Sequence, residues 1–200
     1  MRWLLVGDSH MQALGPRLQA IFGAAGAEEV IVEARPGRGV ADFVDDLPAL
    51  IARVRPDVVI LELGANDGRW STEEGASAFR ARVARLVASA EGSGAQALWV
   101  GPPQATDPDA AARRPKVVAE LLSVLPTLRV PFLDARPLTR SLPTRDGVHF
   151  LPAGYDVFAQ GVAAWASQQH SKRKWWWLLG GAAVAGIGAG AWSLFARRRA

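Results

Sequence analysis

The chain has 200 residues, enough for one domain of ordinary size with an appendage, and a core of that size needs no disulfide or metal staple. It has no cysteine and three histidines, which excludes disulfides and thiolate metal sites and leaves no obvious imidazole metal site. Six of the 23 basic residues lie beyond residue 171 with no acid among them, so the first 171 residues carry 17 bases against 19 acids. The basic character belongs to the tail, and the body does not read as a nucleic-acid binder.

Apolar runs and helical periods alternate along the body. Residues 2–7 read as a first strand ending at Gly7. Residues 16–25 suit a helix with Pro16 in its first turn. Residues 29–34 read as a second strand, and 41–54 as a helix with Phe43, Val44, Leu47, Leu50, Ile51 and Val54 on its apolar face. Residues 57–63 are continuously apolar apart from Asp57 and Glu62, the mark of a strand covered on both faces. Ser71 or Thr72 caps a helix to about residue 90, with Arg80, Arg82 and Arg85 outward. Residues 96–100 form a fourth strand, and 104–115 a polar loop, the longest lid candidate. A helix at 116–125, a fifth strand at 129–133, a loop to Asp146 and a helix at 153–169 complete the body. This alternation predicts an α/β domain, a five-stranded parallel sheet between two helical layers, with functional groups at the carboxyl ends of the strands.

Four polar clusters fall at those ends: Gly7-Asp8-Ser9-His10, Arg35-Pro36-Gly37-Arg38-Gly39, Gly64-Ala65-Asn66-Asp67 and Asp146-Gly147-Val148-His149. Together they supply the parts for acyl transfer. Ser9 is a nucleophile only if a base takes its proton, and His149 is the candidate base. Asp146, three residues earlier, can orient that imidazole. The N–H groups of Ser9 and Gly37 and the Asn66 amide are candidate donors to an oxyanion. His10 and Gly39 are candidate substrate contacts, whereas Arg38, Arg69, Arg113 and Arg114 read as solvated arginines. No Gly-x-Ser-x-Gly elbow, Walker loop or intact Gly-x-Gly-x-x-Gly is present.

These blocks, in this order, resemble the SGNH (GDSL-type) hydrolase family, and Leu151-Pro152-Ala153-Gly154-Tyr155 is similar to that family too. The resemblance covers nearly all of residues 1–169. It implies a flavodoxin-like three-layer fold and serine esterase chemistry without a cofactor. It further implies that Ser9, Asp146 and His149 are nucleophile, orienter and base, with Gly37 and Asn66 in the oxyanion hole. Histidine at position 10 departs from the family's name-giving leucine and is similar to relatives handling O-acetyl groups on sugars. The expected substrate is an ester, an acylated glycan or lipid among the candidates. O-acetyl transfer by the same residues is the alternative within enzymes, and a non-catalytic, membrane-tethered binding module the alternative outside them.

After a basic linker at 170–174, residues 175–195 carry no charge. As a helix they would extend about 31 Å, the thickness of a bilayer core. Trp175, Trp176, Trp177 and Trp192 mark its ends, and Arg197, Arg198 and Arg199 lie in the tail at 196–200. This predicts a single-pass, C-terminally anchored membrane protein. The N-terminal apolar run is too short for a signal peptide, so the catalytic domain is expected to face the cytoplasm. A C-terminal sorting signal ranks lower. Gly186 and Gly190 have the spacing that lets two such helices pair in a homodimer.

Overall fold

The computed structural model describes the backbone of residues 1–188 and the side chains of residues 1–171. The chain divides into two units, Met1–Trp165 and Ala166–Ala200. The first carries five parallel strands, β1 (Arg2–Gly7), β2 (Glu29–Ala34), β3 (Val58–Glu62), β4 (Gln96–Val100) and β5 (Phe132–Leu133). Their order across the sheet is β2-β1-β3-β4-β5. Gly7 pairs with Ala34 on one side and Glu62 on the other, so the carboxyl ends of β1, β2 and β3 are level.

Side chains alternate between the faces of this sheet, and both faces are buried. Leu4, Val6, Val59, Leu61, Ala97 and Trp99 join a core with Val40 and Phe43 of a 3-10 turn (Val40–Phe43), α2 (Leu47–Val54), α3 (Glu73–Gly92) and α4 (Pro108–Val124). On the alternate positions Trp3 stacks on Phe22 of α1 (Ser9–Ala24) at 4.2 Å between ring centroids. Two further helices follow β5, α5 (Ala135–Thr139) and α6 (Pro152–Gly188). Leu138 of α5 packs where a Cβ on Gly161 of α6 would lie.

Three helices depart from the sequence expectation, two because an aspartate caps them further upstream and one because a proline interrupts it. Helix α1 starts at Ser9, not residue 16, because the Asp8 carboxylate accepts from the His10 N–H at 2.8 Å and caps it. Pro16 is carried inside, at the cost of one helical hydrogen bond. Helix α4 likewise starts at Pro108 under an Asp107 cap, with Pro115 inside. The expected polar loop at 104–115 is therefore mostly helix, and it is not a free lid. Conversely, the expected helix at 41–54 is broken into the 3-10 turn and α2, because Pro48 has no N–H to continue a helix and sits at the start of α2. Strand β5 is shorter than expected, since Arg129 is left-handed at φ 57. Thr72 caps α3 as one of the two expected residues.

In the second unit the backbone of α6 runs to Gly188. Among the described residues no helix is long and apolar enough to cross a membrane. The expected span at 175–195, with its Gly186 and Gly190 pair and the tail after it, has its side chains outside the described residues.

Candidate active site

The strand order reverses at β1, which connects to β2 on one side while β3 lies on the other. That creates a crevice beyond their carboxyl ends. A cavity of about 490 Å³ opens there. Ser9, Gly37, Asn66 and His149 all line it, so all four polar clusters meet as expected, except that Asp146 stands behind His149 rather than on the wall.

Ser9 is the first residue of α1, where the Asp8 cap fixes its backbone. Its Oγ lies 2.9 Å from His149 Nε2. His149 Nδ1 lies 2.8 Å from Asp146 Oδ2. A carboxylate accepts only, so Nδ1 carries the proton and the Nε2 lone pair faces the Ser9 hydroxyl. The loop is rigid for local reasons. Asp146 Oδ1 accepts from the N–H groups of Val148 and His149 at 3.0 and 2.7 Å. Thr144 and Phe150 bridge as antiparallel partners, and Arg145 N–H donates to His149 O at 2.7 Å. Gly147 is left-handed at φ 82, and its carbonyl takes the N–H groups of Thr106 and Asp107. These donors hold Asp146 well below the usual carboxylate range, the His149 backbone N–H first among them.

The candidate oxyanion donors differ in what they have to offer. Among the described hydrogen bonds, neither the Ser9 nor the Gly37 N–H has a protein acceptor. The Gly39 N–H is spent on Asp42 Oδ2 at 2.8 Å, and Gly39, a candidate substrate contact, does not line this cavity. Asn66 Nδ2 gives its protons to the Arg38 carbonyl at 2.9 Å and to Asp8 Oδ2 at 3.2 Å.

Beneath the serine lies a buried layer that the sequence did not reveal. Arg114, read as solvated, is 2% exposed. Its guanidinium donates to the Pro103 and Gln104 carbonyls and reaches His10 Nε2 at 3.2 Å. Arg113 is also mostly covered and donates to the Ala65 and Asp67 carbonyls. Arg38 and Arg69 are exposed, as expected. His10 is fully buried on the cavity wall, held at Nδ1 by the Tyr155 hydroxyl at 3.1 Å. Burial raises the Asp8 carboxyl to about 7 and the Asp67 carboxyl to about 6. It pushes Glu62, which is fully buried, well above the usual range. No local pattern marks Arg114 as buried, whereas Glu62 stands in the strand whose apolar run predicts cover on both faces. Among the described residues no group of three or more His, Asp or Glu side chains is placed to hold a metal ion.

The GDSL-like Lipase/Acylhydrolase family model matches residues 5–157. The fold is similar to a crystal structure of TesA, at 23% identity and TM-score 0.66 over 81% of this chain and 96% of that one. It is also similar to a lipase/acylhydrolase from Enterococcus faecalis, at 22% identity and TM-score 0.69 over 84% and 97% of the two chains. An acetyl xylan esterase matches at 17% identity and TM-score 0.69 over 84% and 99%. No curated protein matches the chain. With the family model spanning most of its length, the chain belongs to the GDSL-like lipase/acylhydrolase family and is an ester-hydrolysing enzyme.

Proposed function

We propose that this enzyme cleaves carboxylic esters through an acyl-enzyme on Ser9, with His149 as base and Asp146 as orienter. One observation carries the assignment: the unbroken line from Ser9 Oγ to His149 Nε2 and from His149 Nδ1 to Asp146 Oδ2. His149 takes the Ser9 proton as Oγ attacks the ester carbonyl. The imidazolium, stabilised by Asp146, returns that proton to the departing alkoxide. Water then enters, gives a proton to the same Nε2 and attacks the acyl group, releasing the acid and regenerating Ser9.

Ser9 and Gly37 N–H groups are the free donors for the oxyanion, with the positive end of α1 behind Ser9. Asn66 becomes the third donor when its amide releases the Arg38 carbonyl. Transfer of the acyl group to a sugar hydroxyl uses the same groups with the hydroxyl in place of water. Full-length protein mixed with 4-nitrophenyl acetate should give a stoichiometric burst of nitrophenol that is absent in Ser9→Ala. Adding a polyol should shift product from acetate to polyol ester only if transfer competes.

The uncharged stretch at 175–195, with tryptophans at its ends and bases beyond them, supports a C-terminal membrane anchor for this esterase. An anchored enzyme meets esters at a bilayer surface at raised effective concentration. Phospholipid vesicles should carry the full chain into the pellet. Pelleting that survives replacement of the span by a Gly/Ser linker would contradict the anchor.

A further inference from the structure

His10 connects Arg114 to Tyr155, and the direction of that chain is fixed from one end. A guanidinium donates and never accepts. Arg114 Nη2, 3.2 Å from His10 Nε2, therefore makes Nε2 an acceptor. The ring is fully buried beside the Arg114 charge, which keeps it neutral. Its one proton then sits on Nδ1 and is donated to the Tyr155 hydroxyl oxygen at 3.1 Å. The Tyr155 hydroxyl proton remains. Among the described hydrogen bonds it has no acceptor, although Tyr155 is 5% exposed.

Position gives that proton a use. Tyr155 lines the cavity that holds Ser9 and His149, and the His10 and His149 ring centroids are 5.5 Å apart. Tyr155 is anchored in the first turn of α6, with its N–H bonded to the Leu151 carbonyl at 3.2 Å. Arg114 is pinned by the Pro103 and Gln104 carbonyls at 2.7 and 3.0 Å. A donor so fixed is satisfied by an oxygen and left unpaired by a methylene.

We propose that Tyr155 is a specificity-determining donor, set in that role by the Arg114–His10 relay, which hydrogen-bonds a second oxygen of the substrate near the scissile ester. The enzyme then favours oxygenated esters, those with a hydroxyl, ether or carbonyl oxygen in the acyl group or the alcohol, over hydrocarbon isosteres. This rests on the esterase reading for its cavity and nucleophile; the polarity of the relay does not.

Two isosteric pairs test it in the full-length chain. One compares the 4-nitrophenyl esters of methoxyacetate and butyrate, and the other compares 2-methoxyethyl and butyl acetate. Each oxygen-to-methylene preference is a ratio of kcat/KM within one enzyme, so a general loss of activity cancels. In Tyr155→Phe the preference should fall roughly tenfold in at least one pair. Ratios unchanged in both pairs would overturn the proposal. Separately, ¹⁵N shifts of the His10 ring should report a neutral, Nδ1-protonated tautomer from pH 5 to 8. An Nε2-protonated or cationic ring would overturn the relay even if Tyr155→Phe fails to fold. A wild-type chain that hydrolyses none of the four esters overturns the esterase reading and the proposal with it, and the tautomer shows whether the relay failed too.

Discussion

The side-chain amide of Asn66 is bonded to the backbone carbonyl of Arg38 at 2.9 Å. Its second proton is on Asp8, so the amide must turn from one of these partners before it can reach a developing oxyanion. Ester hydrolysis by Asn66→Ala should lose about 10²-fold in kcat with KM little changed, the signature of a contact made in the transition state. A loss below threefold would leave Ser9 and Gly37 as the whole donor set.

Asp146 keeps His149 in one tautomer through a partly exposed contact at 2.8 Å. Asp146→Asn can donate where Asp146 accepts, and that favours the wrong tautomer. The variant should fold normally and lose about 10²–10⁴-fold in kcat. Steady-state kinetics on a soluble ester together with the thermal midpoint check this. Near wild-type kcat would remove Asp146 from the account.

The carboxyl of Asp67 is raised to about 6 by burial, against about 4 in an unfolded chain. A group whose folded pKa is raised stabilises fully below pH 4, and that contribution is lost as pH rises through 6. Asp67→Asn still accepts from the Val40 N–H, which lies 3.1 Å from one carboxyl oxygen. Between pH 4 and 7 the variant should gain about 1–2 kcal/mol relative to wild type, read from urea unfolding at each pH. A difference that does not change with pH would contradict the raised carboxyl. Asp8, raised to about 7, leaves part of the wild-type slope in place.

Most of the sheet was legible because its strands are short apolar runs with polar clusters at their carboxyl ends. The 96–100 strand was read to the residue. Two helix starts were not legible: Pro16 mimics a first-turn proline, and the first turns of α4 have the polar composition of a loop. At Asp8 and Asp107 an upstream carboxylate caps the helix, and the proline that follows is tolerated inside it. The residues of the Ser9, His149 and Asp146 line were legible because each belongs to a local motif. Arg114 was not, because its burial depends on helix α4 beginning eight residues earlier than expected and bringing that side chain to His10 and to the Pro103 and Gln104 carbonyls. The identity of the residue says only that it is charged, and charge alone argues for solvent. Gly39 illustrates the opposite limit: it stands in the right cluster, yet its N–H is taken by Asp42 within its own turn.

Gly7 ends β1 at a point of close approach. A Cβ there would lie 2.5 Å from both the Glu62 carbonyl oxygen and Met11 Cβ. Neither is the tip of a flexible side chain, so β1 and β3 would have to separate just below the serine. Gly7→Ala should destabilise by about 3 kcal/mol in urea unfolding. An effect under about 0.5 kcal/mol would show that the sheet edge yields easily.

The esterase reading stands or falls with Ser9 as an activated nucleophile. The direct measurement is covalent labelling of the full-length chain by a fluorophosphonate, with the modified residue located by peptide mass spectrometry. One label is expected on Ser9, none in Ser9→Ala, and labelling slowed by at least 10²-fold in His149→Ala. A folded wild-type chain that takes no label, or takes it at another residue, would contradict that reading.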